Sequence, residues 1–306
     1  MAKPVVLHVG AIVAPCAVRY RAAFEVVEYL HGGALPGNPG EIKALIAAAP
    51  VPAGLIDALP ALGIIAAFGA GVDKIDVAHA KARGVVVTNA PDPTVGCVAD
   101  MAMALVLAVS RGIVRGDGFV RAGRWPGGQF PLLPRLHGRR LGILGLGRIG
   151  RAIARRAAGF DMAIAYHNRR RVEAVSYTFM NDVRELAAWC DILVVACPGG
   201  AATRHMVDAE VLRALGPAGI VVNIARGGII DEAALIAALA AGGIAGAGLD
   251  VFAAEPEVPE GLFGLSNVVL MPHRGGGTIE TWEETADVVI RAIRAFLAGG
   301  MPDIVL

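Results

Sequence analysis

Gly145, Gly147 and Gly150 close the stretch Leu141-Gly-Ile-Leu-Gly-Leu-Gly-Arg-Ile-Gly150, in which an apolar strand runs into the glycines and Arg151–Ala158 reads as a helix beyond them. A strand before and a helix after is the setting in which this spacing binds the pyrophosphate of a dinucleotide. Gly145 permits the tight turn. Gly147 removes a side chain so that the backbone can approach the pyrophosphate, and Gly150 lets helix and strand pack closely. The phosphate charge is met by the unpaired N–H groups and positive dipole end of the new helix. Leu146, Arg148 and Ile149, inside the loop, are therefore candidate contacts as well.

A dinucleotide also needs a partner for its adenosine ribose, at the end of the next strand. An acid about 20 residues beyond the glycines would bond the 2′-hydroxyl of NAD. Here Ala163-Ile-Ala-Tyr166 ends in His167-Asn168-Arg169-Arg170-Arg171, with no acid. A carboxylate would repel a 2′-phosphate, whereas Asn168 donates a hydrogen bond and Arg169 and Arg170 can donate charge-assisted ones. NADP(H) is the preferred cofactor on this reading, and NAD(H) the alternative.

Three further strand ends carry polar residues that plain packing does not require. They are Val222-Asn-Ile-Ala-Arg226-Gly-Gly, Gly248-Leu-Asp250-Val-Phe-Ala-Ala-Glu255-Pro and Val269-Leu-Met-Pro-His273-Arg-Gly-Gly-Gly277. Singly, each has an ordinary reading: Arg226 a surface ion pair, Glu255 a loop acid, His273 a capped loop histidine. Together they stand at the strand edge where open α/β sheets bind ligands.

The elements that must position these groups alternate between strand and helix. Val5–Val9, Leu45–Ala47, Gly63–Phe68 and Val85–Thr88 read as strands, with helices around Ala22–Leu30 and at Val77–Arg83 and a Gly- and Pro-bearing loop from Gly32 to Gly40. After Asn89-Ala-Pro-Asp-Pro93, a break with two prolines, Val98–Ser110 is a nearly all-apolar helix that must be buried on most sides. A charged arm leads to Arg124-Trp125-Pro126 and the glycine loop. Then come strands at Ala163–Tyr166, Ile192–Ala196, Ile220–Asn223, Gly248–Val251 and Val268–Leu270, with helices such as Asp182–Cys190 and Glu232–Ala241 between them. The last helix is expected to begin near Thr281-Trp-Glu-Glu284 and to end at Gly299-Gly300, with Pro302–Leu306 extended beyond it. Such alternation means parallel βα units, hence an α/β fold.

The 306 residues allow about two domains. A hydrophobic fraction of 55% with 18% charged residues excludes a disordered chain, and a net charge of +1 provides no broad field for nucleic acid or an acidic membrane surface. Mean hydropathy is positive, but the longest uncharged run, Ala233 to Leu249, holds four glycines and reads as helix, turn and strand rather than a membrane span. The N-terminus has no signal-peptide pattern. Cys16, Cys97, Cys190 and Cys197 make no C-x-x-C pair and no metal-ligand spacing. Free thiols, no metal and a cytoplasmic location are expected.

Taken together, these stretches resemble the D-isomer-specific 2-hydroxyacid dehydrogenases, within them the glyoxylate/hydroxypyruvate and hydroxyphenylpyruvate reductase branch. The resemblance extends to Phe68-Gly-Ala-Gly-Val-Asp-Lys-Ile-Asp76, Cys97-Val-Ala-Asp100, Phe119-Val-Arg-Ala-Gly-Arg-Trp125 and Ala196-Cys-Pro-Gly-Gly. It implies two parallel-sheet domains, Rossmann-like and flavodoxin-like, with the active site in the cleft between them. Residues 1–92 with 278–306 would bind substrate, and 93–277 would be the inserted dinucleotide domain.

The resemblance also assigns roles. Arg226 would clamp the carboxylate and carbonyl oxygens of a 2-oxo acid, and the N–H groups of Ala70 and Gly71 would hold its carboxylate. His273 would protonate the carbonyl oxygen as hydride arrives, and Glu255 would favour the charged form of His273. Asp250 and the Ala225 carbonyl would meet the nicotinamide carboxamide, and the cofactor would also pass Cys197, Pro198 and Thr203. Phe68, Trp125, Phe130 and Trp282 are candidate walls of the substrate pocket.

One departure stands out: Val95-Gly96 replaces a Thr-Asp pair common among relatives, so a cap there must come from Thr94 or Asp92. His137 has no place in the family mechanism and reads as a linker residue. The implied function is NADPH-dependent reduction of small 2-oxo acids, such as glyoxylate or hydroxypyruvate, to D-2-hydroxy acids. The alternatives are an NAD-dependent dehydrogenase of a bulkier 2-hydroxy acid and a nucleotide-sensing corepressor-like binding protein. The latter is expected to carry extended tails, whereas the last helix here is expected to end at Gly299-Gly300 and the charge is near neutral. A homodimer is expected, burying Val98–Ser110 and the Trp125 region.

Overall fold

Short apolar runs that alternate with helices can bury both faces only in a parallel sheet covered on each side. The computed structural model, which describes residues 3–30, 33–35, 38–173 and 175–302, contains two such sheets. The chain divides into two units, Met1–Thr94 with Gly276–Leu306, and Val95–Gly275. In chain order the elements begin β1 (Val5–Val9), α1 (Ala14–Ala23), β2 (Glu25–Tyr29), β3 (Ala44–Ala47), α2 (Ala53–Asp57), β4 (Ile64–Ala67), α3 (Val77–Ala82) and β5 (Val86–Thr88). Next come α4 (Thr94–Ser110), α5 (Ile113–Arg121), β6 (Arg140–Leu144), α6 (Arg148–Ala158), β7 (Ala163–His167), β8 (Thr178–Phe179), α7 (Val183–Trp189) and β9 (Ile192–Val195). The chain continues through α8 (Ala209–Leu215), β10 (Ile220–Asn223), α9 (Glu232–Ala240), β11 (Gly246–Leu249), β12 (Val268–Leu270) and α10 (Ile279–Leu297).

The first unit has the strand order β2-β1-β3-β4-β5, all parallel, which is the flavodoxin-like doubly wound order. Helix α10 returns to this sheet. Its Ala286, Val289, Ile290 and Ile293 are buried with Val6, Phe24, Ile46 and Ile64, while Trp282 and Leu297 pack at the margin. Arg19 on α1 bonds both Glu283 and Asp287 of α10 at 2.9 Å.

Two sequence expectations are corrected here. The helix expected around Ala22–Leu30 lies earlier, with Pro15 in its first turn where no N–H is needed, and Glu25-Val-Val-Glu-Tyr29 is instead the edge strand β2. The cap of α10 is Thr278, whose Oγ1 accepts from the Thr281 N–H at 3.2 Å, so the helix starts at Ile279 rather than near Thr281. Of the expected loop from Gly32 to Gly40, residues 32, 36 and 37 lie outside the described residues. The same holds for residues 303–306 of the expected terminal extension.

The second unit has the order β12-β11-β10-β9-β6-β7-β8, again parallel. Counted within the unit, this is the Rossmann order 3-2-1-4-5-6 with one more strand at the end. Helix α4 buries Val98, Ala99, Ala102, Leu105 and Val106 in the same core as Ile143, Ile153 and Val222. Two glycines of β11 make that approach so close. A Cβ on Gly248 would lie 3.0 Å from Leu105 Cβ, and one on Gly246 would lie 2.7 Å from Val109 Cγ1. The strand accordingly begins at Gly246, two residues before the start that the sequence suggests.

The arm expected after Ser110 is the helix α5 followed by a 3₁₀ turn at Trp125–Gly127. It leaves Ile113, Val114, Val120 and Trp125 exposed. Among the described residues no single helix is long and apolar enough to cross a membrane.

Candidate active site

Strand register brings the second unit's polar residues to one edge. His167, Leu144, Val195, Asn223, Leu249 and Leu270 are paired in sequence across six neighbouring parallel strands, β7, β6, β9, β10, β11 and β12. Asn168, Gly145 and Asp250 each follow that row by one residue, Cys197 by two, and Arg226 and His273 by three. The row is the carboxyl end of the sheet, where doubly wound folds bind ligands.

The glycines of the phosphate loop divide three tasks. Gly145 has φ of +105°, and a Cβ there would lie 2.5 Å from the Cys197 nitrogen, so both backbone conformation and the neighbouring loop demand glycine. A Cβ on Gly150 would run into the Gly145 carbonyl, which fixes how tightly α6 sits on β6. A Cβ on Gly147 would meet no atom of the described residues within 4 Å, which leaves the space a pyrophosphate needs. Gly147 is also the N-cap of α6 and has no side chain to cap the helix, and a helix N-terminus of this kind favours an anion. The residues thus fit a dinucleotide.

At the end of β7, Asn168 Oδ1 accepts from the Leu146 N–H at 2.7 Å. This bond ties the ribose-side loop to the phosphate loop and occupies one of its donors. Arg169 and Arg170 are exposed beside it. His167 donates from Nδ1 to the Met180 carbonyl at 2.9 Å and stacks on Phe179. In the loop after β9, burial pushes the Cys197 thiol up to about 11, so it stays protonated and unreactive near neutral pH. The Thr203 hydroxyl shares its proton between the Pro198 and Gly200 carbonyls at 2.9 and 3.2 Å, which shapes that loop from within.

Arg226 is seated by a residue to which the sequence assigns no role. Asn223, 1% exposed, donates from Nδ2 to the Arg226 carbonyl at 2.9 Å and accepts at Oδ1 from the Ala225 N–H at 3.0 Å. A lone amide at the end of the apolar run Ile220-Val-Val-Asn223 is the signal that points to it, because a buried polar group must be satisfied by something specific. Gly227, next in the chain, has no room for a Cβ against the Phe252–Ala253 backbone, so the arginine turn packs directly on the segment that leads to Glu255. Arg226 itself donates from a guanidinium nitrogen to the Ala225 carbonyl at 2.7 Å.

Glu255 and His273 meet as a pair. His273 Nδ1 lies 2.8 and 3.0 Å from the two carboxylate oxygens of Glu255, with the histidine side chain 45% exposed and the glutamate 20%. Glu255 also accepts from the Phe252 N–H at 3.3 Å. The backbone of His273 is left-handed, with φ of +52°, a conformation that a non-glycine residue keeps only when its surroundings impose it. Asp250 imposes it. Its carbonyl accepts from the His273 N–H at 2.8 Å, and its two carboxylate oxygens accept from the Arg274 and Gly275 N–H groups at 2.7 Å each. Burial pushes the Asp250 carboxyl above its ordinary range, while the two N–H bonds favour the carboxylate. Asp250 is 1% exposed, and these three bonds make it the clamp of the histidine loop.

Replacing Glu255 with glutamine is expected to lower kcat by about 10- to 100-fold, because a neutral amide is a weaker acceptor for Nδ1–H than a carboxylate and holds the ring less firmly. A rate left unchanged in steady-state assays would separate Glu255 from the positioning of His273.

In the first unit, Gly69-Ala70-Gly71 leaves β4 with Gly69 at φ of +118° and with Ala70 and Gly71 exposed. The turn is held by the segment after β5: Ala90 N–H donates to the Gly69 carbonyl at 2.8 Å and Asn89 Nδ2 to the Ala70 carbonyl at 2.7 Å. Of the four candidate wall residues, Phe68 and Trp282 meet edge-to-face at 6.4 Å, Phe130 packs on Phe119, and Trp125 is 66% exposed. Thr94 Oγ1 donates to the Pro91 carbonyl at 3.1 Å, just before Val95-Gly96. His137 is exposed in the turn before β6.

A Rossmann unit whose phosphate loop, arginine and Glu–His pair share one sheet edge defines a nucleotide-dependent oxidoreductase. Residues 103–275 match the model of the D-isomer specific 2-hydroxyacid dehydrogenase, NAD binding domain. The chain belongs to the D-isomer-specific 2-hydroxyacid dehydrogenase family. It is 50% identical over 245 residues to hydroxyphenylpyruvate reductase of Plectranthus scutellarioides, covering 80% of this chain and 78% of the relative. It is 47% identical over 267 residues to glyoxylate/hydroxypyruvate reductase A of Arabidopsis thaliana, covering 87% and 85%. Among solved structures it resembles the NADPH-dependent glyoxylate/hydroxypyruvate reductase of Sinorhizobium meliloti in complex with NADP and malonate. There the TM-score is 0.94 at 40% identity, over 100% of this chain and 97% of that one.

Proposed function

We propose that the protein reduces small 2-oxo acids, glyoxylate or hydroxypyruvate among them, to D-2-hydroxy acids with NADPH. The observation that carries this reading is the Glu255–His273 pair, 2.8 Å apart at the same sheet edge as Arg226 and the phosphate loop. When bound, the dihydronicotinamide supplies the hydride. The chain's own residues do the rest. Arg226 binds the carboxylate and carbonyl oxygen of the substrate and fixes the face presented. In the first unit, the exposed N–H groups of Ala70 and Gly71 are the candidate donors to a carboxylate.

Because Nδ1 of His273 is committed to Glu255, Nε2 is the nitrogen that faces substrate. As the carbonyl carbon gains hydride, its oxygen takes the proton from Nε2, and the imidazole is left neutral with its remaining proton held by Glu255. Leu146, Arg148, Ile149 and the three glycines would hold the pyrophosphate, and Asn168, Arg169 and Arg170 the 2′-phosphate. Cys197, Pro198, Thr203, the Ala225 carbonyl and Asp250 would line the remaining cofactor path.

Initial rates on a panel of 2-oxo acids with each reduced cofactor test the reading. Rates should be highest with the two- and three-carbon acids and with NADPH; selectivity for a bulky acid, or for NADH, would favour the NAD-dependent dehydrogenase instead. Replacing Asn168-Arg169 by Asp-Ala is expected to reverse the cofactor preference by about 10- to 100-fold, since one charge-assisted donor pair is lost and a repelling carboxylate gained. Unchanged selectivity would place recognition of the phosphate elsewhere. The exposed Ile113, Val114, Val120 and Trp125 of the α5 region support a homodimer, and the four free cysteines support a reducing, cytoplasmic setting.

A further inference from the structure

We propose that Gly199, in the Cys197-Pro-Gly-Gly loop after β9, is a positioning residue that sets the direction of the Arg226 side chain. The proposal rests on the reading of Arg226 as the substrate clamp. Glycine at 199 is not demanded by backbone conformation. Its φ lies outside the left-handed region, unlike that of Gly200, which is +148°. What excludes a larger residue is Arg226: a Cβ at 199 would lie 2.6 Å from Arg226 Cγ, 3.0 Å from its Cβ and 3.8 Å from its Cδ. These atoms are the root of the side chain, so no rotation of the guanidinium end relieves the clash.

Neither partner can yield. Asn223 holds the Arg226 turn on both sides, at the Ala225 N–H and the Arg226 carbonyl. Gly227 is wedged on the Phe252–Ala253 backbone. On the other side, Thr203 bridges the carbonyls of Pro198 and Gly200, which flank Gly199. The arginine stem therefore lies across the bare face of Gly199, and the guanidinium leaves that face in one direction. An alanine at this site would displace the clamp while removing none of its charge.

The test compares Gly199→Ala with Gly228→Ala, the same chemical change two residues after Arg226, where the new methyl would meet no atom of the described residues within 4 Å. For each, kcat and KM with glyoxylate, the dissociation constant of NADPH by fluorescence and that of oxalate on the NADPH-loaded protein are measured. Gly199→Ala is expected to lose about 10- to 100-fold in kcat/KM, as for a catalytic group misplaced by about 1 Å. Oxalate binding should weaken in parallel, with a far smaller change in NADPH binding. Gly228→Ala should change none of these.

In an Arg226→Ala background, adding Gly199→Ala should cost no further oxalate affinity, since the residue would act only through the arginine. That double variant should also melt higher than Gly199→Ala, because the Cγ is gone, and this comparison holds even if Gly199→Ala folds poorly. Full activity in Gly199→Ala, or an equal loss of oxalate affinity with and without the arginine, would overturn the proposal. An Arg226→Ala variant that keeps oxalate affinity and turnover would instead overturn the reading beneath it.

Discussion

Arg226→Ala is expected to lower kcat/KM for a 2-oxo acid by about 10³-fold, the scale seen when one preorganised donor to a developing oxyanion is removed. Cofactor affinity should fall little. The arginine follows β10, whereas the phosphate loop follows β6 and the basic loop β7, on the far side of β9. Stability should change little as well. The bond that Arg226 donates to the Ala225 carbonyl is lost, but that carbonyl belongs to a partly exposed residue and can take water. Asn223 keeps the turn in place through backbone groups that alanine retains. Arg226→Lys should recover only part of the loss, because a lysine keeps the charge without the planar pair of donors. Steady-state rates with glyoxylate, NADPH fluorescence titration and thermal melts separate these effects. Turnover retained in the alanine variant would remove the arginine from the mechanism.

His273→Asn is expected to cost about 10²- to 10⁴-fold in kcat, the usual worth of a positioned general acid. Asparagine is the replacement to choose because the backbone at 273 is left-handed, at φ of +52°, and asparagine tolerates that region better than other side chains lacking an acid. The backbone bond to the Asp250 carbonyl survives, as do the bonds from Arg274 and Gly275 to its carboxylate. The loop therefore keeps its shape, and Glu255, which still accepts from Phe252 N–H, is not left stranded. If kcat falls by less than tenfold, another group or a water donates the proton; an accompanying drop in melting temperature would instead show damage to the loop.

Both residues are legible in the sequence, as is Glu255, because each follows an apolar run short enough to be a strand, and parallel strands deliver their ends to one side. The glycine loop is legible because its strand and helix are contiguous with it. Strand β2 is not, since an edge strand with two glutamates lacks the apolar run that betrays a central one, and pairing to β1 decides it. The cap at Thr278 is equally hidden. Thr281, three residues later, begins an equally good capping pattern, and only the backbone shows which threonine receives the bond.

The sequence by itself determined which groups are on offer: a glycine loop, a basic loop, an arginine, and a glutamate with a histidine, each bound to a strand end by covalent proximity. Tertiary structure alone decided how those groups are held. The row from His167 to Leu270 sets them level, Asp250 clamps the left-handed histidine, Asn223 seats the arginine and Gly199 makes way for its stem. The physical reason is one of range. A turn or a helix cap is encoded by neighbours along the chain, whereas register and close approach depend on residues distant in it. Asp250 and Arg274, 24 positions apart, meet only because β11 and β12 pair side by side.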